Sequence, residues 1–236
     1  MKYNRIIIVI IIINILLLSF TFNNVGKRNI RKKSKEVIKV KEKTSDSEIK
    51  KYENIVFLGD SITELYPIDD IYADLPIVKS GTCGYKTQDI LDKLESMVYQ
   101  YNPTTIFLLI GTNDIMNNPD EHYEKAIENI EKIIEQIKIH RKNAKIYIES
   151  IYPVNNETEE SMVKERNNET IKKMNEEIQN YCKNTKNAQY IDVYNKLTDS
   201  DGNFSQKYSD DGLHPNDLGY ARISKIRLSY IYGVEE

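Results

Sequence analysis

The chain predicts an α/β protein: a three-layer α/β/α sandwich around a five-stranded parallel sheet, preceded by an apolar leader and a basic stalk. Three observations predict it. From Tyr52 onward, short runs that are apolar throughout alternate with longer amphipathic stretches, the pattern of strands buried between two helical layers. Ile6 to Phe22 is apolar apart from Asn14, Ser19 and Thr21. Residues 24–51 show no hydrophobic periodicity and carry eleven Lys/Arg against four Asp/Glu.

The leader, residues 1–23, has Lys2 and Arg5 ahead of its apolar run. As a helix that run spans roughly 25 Å at about 1.5 Å per residue, slightly short of a ~30 Å hydrocarbon core but within reach of mild bilayer thinning. Thr-Phe-Asn-Asn-Val-Gly follows Phe20, without a small-x-small cleavage site and without a Cys to carry a lipid. The expectation is an uncleaved membrane anchor; a cleaved signal peptide would give a secreted protein instead. The Lys27–Lys35 cluster outweighs Lys2 and Arg5, which by charge alone keeps it cytoplasmic. Export is expected only from the resemblance described below.

Charge is divided along the chain. Residues 1–23 carry +2, residues 24–51 carry +7 and residues 52–236 carry −12. An acidic domain is a poor partner for nucleic acid, whose phosphates need Lys and Arg. The stalk over 24–51 suits a solvated linker, or contact with anionic headgroups or wall polymers. Two cysteines, Cys83 and Cys182, make no disulfide framework. Cys182 sits in a helical pattern, where packing explains it.

Within the domain at 52–236, five strands are expected. These are Ile55–Leu58, Ile77–Val78, Thr105–Ile110, Lys145–Ser150 and Gln189–Val193. Between them, Ile90, Leu91, Leu94 and Val98 share one helical face. Tyr123, Ile127, Ile130, Ile134 and Ile137 share another, with Asn118 as expected N-cap and Pro119 at the first position. Thr170, Met174, Ile178 and Tyr181 form a third, and a last helix follows Asn216 through Ile223, Ile226 and Leu228. Ligands of such sheets sit at the carboxyl ends of the strands.

Four short segments fall at those ends or on the loop before the last helix. Gly59-Asp60-Ser61 follows the first strand and Gly81-Thr82-Cys83-Gly84 the second. Gly111-Thr112-Asn113-Asp114 follows the third, and Asp211-Gly212-Leu213-His214-Pro215 precedes the last helix. Ser61 offers a hydroxyl at the start of a short helical segment, Ile62 to Tyr66; read alone, it could merely cap that segment. A glycine of 81–84 lets a backbone N–H approach a developing oxyanion. The Asn113 amide donates without adding charge. An acid three residues before His214 can reach its Nδ1 and leave Nε2 for a serine. His122 and His140 lack such a neighbour and suit ordinary helix positions. Cys83 is the small residue of a tight loop rather than a nucleophile.

Taken together, these blocks resemble the SGNH hydrolases, also called GDSL esterases and lipases. Gly59-Asp60-Ser61-Ile62-Thr63 matches the first block with Ile in place of Leu. Asp211-Gly212-Leu213-His214-Pro215-Asn216 matches the last, and Gly219-Tyr220 continues it. The second block departs from the family's Asn-x-Gly-x-Ser-Gly: Lys79 stands for Asn and Cys83 for Ser. The resemblance implies a flavodoxin-like SGNH fold. It makes Ser61 the nucleophile, His214 the base and Asp211 its orienter. The oxyanion donors would be the Ser61 N–H, the Gly84 N–H and Asn113.

The activity so implied is a serine esterase working by two-step acyl transfer, without cofactor or metal. No long apolar insertion is present to line an acyl channel. Loops 65–76 and 152–160 are polar and contain Tyr, which suits a carbohydrate surface. The substrate expected is a short acyl ester, O-acetyl on a carbohydrate or cell-surface glycan. Alternatives are a lysophospholipase or thioesterase and, outside hydrolysis, a glycan O-acetyltransferase or a non-catalytic glycan-binding module.

Overall fold

The computed structural model describes residues 54–72, 75–117, 119–158, 163 and 166–233. The expected anchor, the stalk and the Asn118 cap lie outside these residues. Among the described residues, no helix is long and apolar enough to cross a membrane.

Five parallel strands form one sheet: β1 (Ile55–Gly59), β2 (Ile77–Gly81), β3 (Thr105–Leu109), β4 (Lys145–Glu149) and β5 (Ala188–Ile191), in the order β2-β1-β3-β4-β5. The chain runs from β1 outward to β2, then returns to lay β3 on the other side of β1. That reversal is the topological switch point, where the loops diverge and leave a crevice at the carboxyl ends of the strands. Pairing sets Phe57 opposite Phe107 and Phe107 opposite Tyr147.

Alternation along each strand divides the interior into two chemistries. On one face Val56, Leu58, Ile106, Leu108, Ile146 and Ile148 join the main apolar core. Against them pack the long helices α5 (Pro119–His140) and α6 (Asn168–Lys183), through Ile127, Ile130, Ile134 and Ile137 and through Met174 and Ile178. On the other face an aromatic stripe crosses three strands, with centroids 5.4 Å apart for Phe57–Phe107 and 4.8 Å for Phe107–Tyr147. The last helix, α8 (Asp217–Tyr232), meets this stripe: Tyr230 packs edge-on to Tyr147. Arg227 lies over Phe57 at 4.4 Å and Tyr66 at 4.5 Å.

Arg227 is fully buried and forks onto Glu149, with Nε to Oε1 at 2.5 Å and Nη2 to Oε2 at 3.0 Å. Tyr152 donates to the same carboxylate at 2.5 Å. These bonds offset much of the cost of burying the pair, while Arg227 Nη1 has no hydrogen-bond partner among the described residues.

Shorter elements complete the chain: α1 (Ser61–Glu64), α2 (Ile68–Ile71), α3 (Thr87–Asp92), α4 (Leu94–Met97) and α7 (Tyr194–Leu197). The helical face of Ile90, Leu91, Leu94 and Val98 is therefore not one helix. The chain leaves helical geometry at Lys93 (φ −123°, ψ 19°), and Val98 leads into a 3-10 turn over Tyr99–Tyr101. Ile90, Leu94 and Val98 stay buried through the break, because each short turn rotates its own apolar residue inward.

The tyrosines of loops 65–76 and 152–160 also differ from expectation. Tyr66, Tyr72 and Tyr152 are buried and offer no carbohydrate surface. Tyr66 Oη bonds Tyr72 Oη at 3.1 Å and Ser224 Oγ at 2.7 Å. They belong to the aromatic layer beneath α8, since a phenol can be buried when its hydroxyl finds a partner. Cys182 is buried, and burial pushes its thiol up to about 11. His140 stacks on Tyr99 and His122 is exposed on α5.

Candidate active site

Local geometry at the end of β1 presents Ser61. Gly59 is required there by space: a Cβ would sit 2.3 Å from the Leu109 carbonyl oxygen and 2.4 Å from Thr63 Oγ1. Asp60, not Ser61, is the N-cap of α1, its Oδ1 accepting from the Ile62 N–H at 3.0 Å. That leaves the Ser61 hydroxyl for other work, and its Oγ lies 3.1 Å from His214 Nε2.

Asp60 is completely buried, and its Oδ2 has no hydrogen-bond partner among the described residues. Burial raises its pKa to about 7, against the opposing pull of the Ile62 N–H and of the His214 and Arg166 charges.

His214 is held by a compact loop. Its Nδ1 lies 2.7 Å from Asp211 Oδ2. Asp211 Oδ1 accepts the backbone N–H groups of Leu213 at 2.8 Å and His214 at 2.7 Å. Burial pushes the Asp211 pKa up, but the hydrogen bonds from the His214 ring and these two amides prevail and hold it far below the usual carboxylate range. Asp211 therefore stays anionic, which fixes the proton on Nδ1 and leaves Nε2 as an acceptor facing Ser61.

Ser209, which sequence reasoning passed over, staples the loop. Its Oγ donates to the His214 carbonyl at 2.8 Å and accepts from the Gly212 N–H at 2.9 Å. The loop rests on the one after β4 through Asn155 N–H to Gly212 O at 2.9 Å.

The loops after β2 and β3 form the opposite wall. Thr82 donates to the Gly59 carbonyl at 3.2 Å, and Tyr85 donates to Thr82 O to close a turn. Gly84 sits in that turn with φ of +76°, a left-handed conformation that a side chain resists although the space around it is open. Cys83 is exposed, its N–H donating to Glu64 Oε2 at 2.5 Å. Asn113 joins the two loops by donating from Nδ2 to the Tyr85 carbonyl at 3.0 Å. Asp114 accepts from the Thr87 N–H and, at 2.6 Å, from Thr87 Oγ1. It thereby anchors the start of α3 on the same wall; burial raises its pKa.

Arg166 is the second residue that sequence reasoning missed. It is buried, its Nε donating to Thr112 O at 2.9 Å and Nη2 to Asn113 Oδ1 at 2.9 Å. It lies in a polar, charged stretch ahead of α6 that reads as a solvated loop, so the sequence carries no signal for it. Among the described residues, no group of three His, Cys, Asp or Glu is arranged to hold a metal ion.

Fold and site together set Ser61, His214 and Asp211 in one hydrogen-bonded chain at the carboxyl edge of a parallel 2-1-3-4-5 sheet. The family follows from comparison. The model of the GDSL-like lipase/acylhydrolase family matches residues 57–222, and the chain belongs to that family.

A Streptococcus pneumoniae structure named for platelet activating factor is 32% identical. It has a TM-score of 0.71, and the match covers 92% of this chain and 98% of that one. A catalytic mutant of an acetylxylan esterase from Geobacillus stearothermophilus shares the fold at 18% identity and TM-score 0.57, over 78% of this chain and 95% of that one. Two longer curated proteins also match. One is an Escherichia coli N-acylneuraminate cytidylyltransferase, 26% identical over 71% of this chain and 38% of its own length. The other is a Ruminococcus flavefaciens multidomain esterase, 30% identical over 61% of this chain and 18% of its own length. The chain thus spans well under half of either protein.

Proposed function

We propose that this protein is a serine esterase that removes a short acyl group, O-acetyl on a carbohydrate or cell-surface glycan, by two-step acyl transfer. The observation that carries the mechanism is the continuous chain from Ser61 Oγ through His214 to Asp211, with links of 3.1 and 2.7 Å. His214 Nε2 takes the Ser61 proton as Oγ attacks the ester carbonyl, and Asp211 stabilises the imidazolium that forms. The N–H groups of Ser61 and Gly84 and the Asn113 amide receive the oxyanion. The tetrahedral intermediate collapses as His214 protonates the departing alcohol. Water, deprotonated by His214, then attacks the acyl-enzyme and releases the acid.

Support for ester hydrolysis, and from one of them for a short acyl group, comes from the relatives named as esterases. The Ruminococcus protein is a multidomain esterase and the Geobacillus protein an acetylxylan esterase. A second reading is hydrolysis of a long-chain lipid ester: Leu65 and Leu218 are exposed on the segments that follow Ser61 and His214 and suit it. We place the enzyme on a membrane through residues 1–23 with its domain exported.

A panel of nitrophenyl esters from acetyl to octanoyl and longer tests the substrate, with Ser61→Ala as control. Preference for acetyl supports the glycan reading, and marked preference for long chains supports the lipid one. Full activity in Ser61→Ala overturns the mechanism, because removing the nucleophile should leave only residual turnover. Fluorophosphonate labelling of Ser61 separates covalent chemistry from a binding module, and product analysis with added glycan separates hydrolysis from acyl transfer. Fractionation of cells tests the membrane assignment.

A further inference from the structure

We infer that Arg166 is a positioning residue for the reaction: it fixes the Asn113 amide so that Nδ2 faces the site. This rests on the reading of Asn113 as an oxyanion donor. An amide side chain can turn over and exchange its oxygen and nitrogen, and a turned Asn113 would present an acceptor to an oxyanion. Two contacts forbid that. Arg166 Nη2 is purely a donor and lies 2.9 Å from Asn113 Oδ1. The Tyr85 carbonyl is purely an acceptor and lies 3.0 Å from Nδ2. With one Nδ2 hydrogen used by Tyr85, the second is left for a substrate oxygen.

Arg166 is itself rigidly placed. Its Nε reaches Thr112 O at 2.9 Å and Thr112 Oγ1 at 3.2 Å, so a single guanidinium grips consecutive residues of the loop after β3. Its backbone is held at both ends, the N–H donating to Val163 O at 2.9 Å and the carbonyl accepting from Asn156 Nδ2 at 2.8 Å. Only a planar fork with separate donors serves Thr112 and Asn113 together; a lysine ammonium on a flexible stem does not.

A double-mutant cycle on the full chain, with nitrophenyl acetate as probe, tests this. Arg166→Ala should lower kcat by about tenfold or more while KM moves less than about threefold, since the lost interaction matters when the oxyanion forms. In an Asn113→Ala background the same change should cost less than about threefold, because the group being positioned is gone. Guanidinium ion at millimolar concentration should restore part of the activity of Arg166→Ala and none of that of the double variant.

Equal fold losses in both backgrounds, or an unchanged kcat in Arg166→Ala, overturn the inference. If Arg166→Ala does not fold, Arg166→Lys replaces it in the cycle under the same criteria. Fluorophosphonate labelling of wild-type Ser61 reports on the underlying mechanism independently. A labelled enzyme with additive losses rejects only the role of Arg166, and an unlabelled one rejects both.

Discussion

Asp60 makes the stability of this protein depend on pH in a calculable way. Burial lifts its carboxyl in the folded protein to a pKa of about 7, well above the ordinary aspartate value of 3.8. Below the unfolded value, both states hold the proton and Asp60 costs nothing. As pH rises past it, the unfolded chain releases the proton while the folded protein keeps it, so stability falls with pH until the folded group also ionises. Three units at about 1.4 kcal/mol each give a loss on the order of 4 kcal/mol, completed near neutrality.

Asp60→Asn is the informative perturbation. It is neutral at every pH and keeps the Oδ1 that accepts from Ile62. Urea unfolding of both proteins, followed by circular dichroism from about pH 4 to about pH 8, isolates the group because other titrations cancel in the difference. The variant should gain on the wild type by roughly 1.4 kcal/mol per pH unit between about 4 and 7, then level off. Parallel stability curves would refute the reasoning, as would a wild type that gains on the variant with rising pH. Parallel curves would mean that folding leaves the Asp60 pKa unshifted, and a gaining wild type would mean that the folded state stabilises its carboxylate.

Asn113→Ala should lower kcat by about 10²–10³ in steady-state kinetics, and should cost about 1–3 kcal/mol in urea unfolding because the buried Arg166 Nη2 loses the acceptor it has at 2.9 Å. Glu149→Ala should destabilise the protein by about 3–5 kcal/mol in urea unfolding, because it strands the buried Arg227 guanidinium without its carboxylate. Ser209→Ala leaves the buried Gly212 N–H without the acceptor it has at 2.9 Å. A loss of about 1–3 kcal/mol is expected in the same assay, with reduced kcat as the His214 loop loosens.

The sheet and the long helices α5, α6 and α8 were legible because their signals are local. Strands buried on both faces are apolar at consecutive positions, as in Ile55–Leu58 and Thr105–Leu109. Long helices repeat an apolar residue every three or four, as in Ile127, Ile130, Ile134 and Ile137. The motif residues were legible for a related reason. Asp211 and His214 are three residues apart, and Gly59, Asp60 and Ser61 are consecutive, so short-range geometry constrains each group.

The contacts that complete the molecule span far greater separations. Ser61 and His214 are 153 residues apart, Glu149 and Arg227 are 78 apart, and Arg166 is 53 from Asn113. Hydrophobic periodicity says only that a residue faces inward; it does not say which polar group it meets there. For that reason Tyr66, Tyr72 and Tyr152 read as surface yet lie buried, Tyr66 bonding Ser224 158 residues away, and nothing local marks Arg166 as the residue that grips Thr112 and Asn113. The sequence by itself determined the strands, the long helices and the residue types at the strand ends. Tertiary structure alone decided which of those ends face one another, because strand order and crossovers set distances that no local propensity contains.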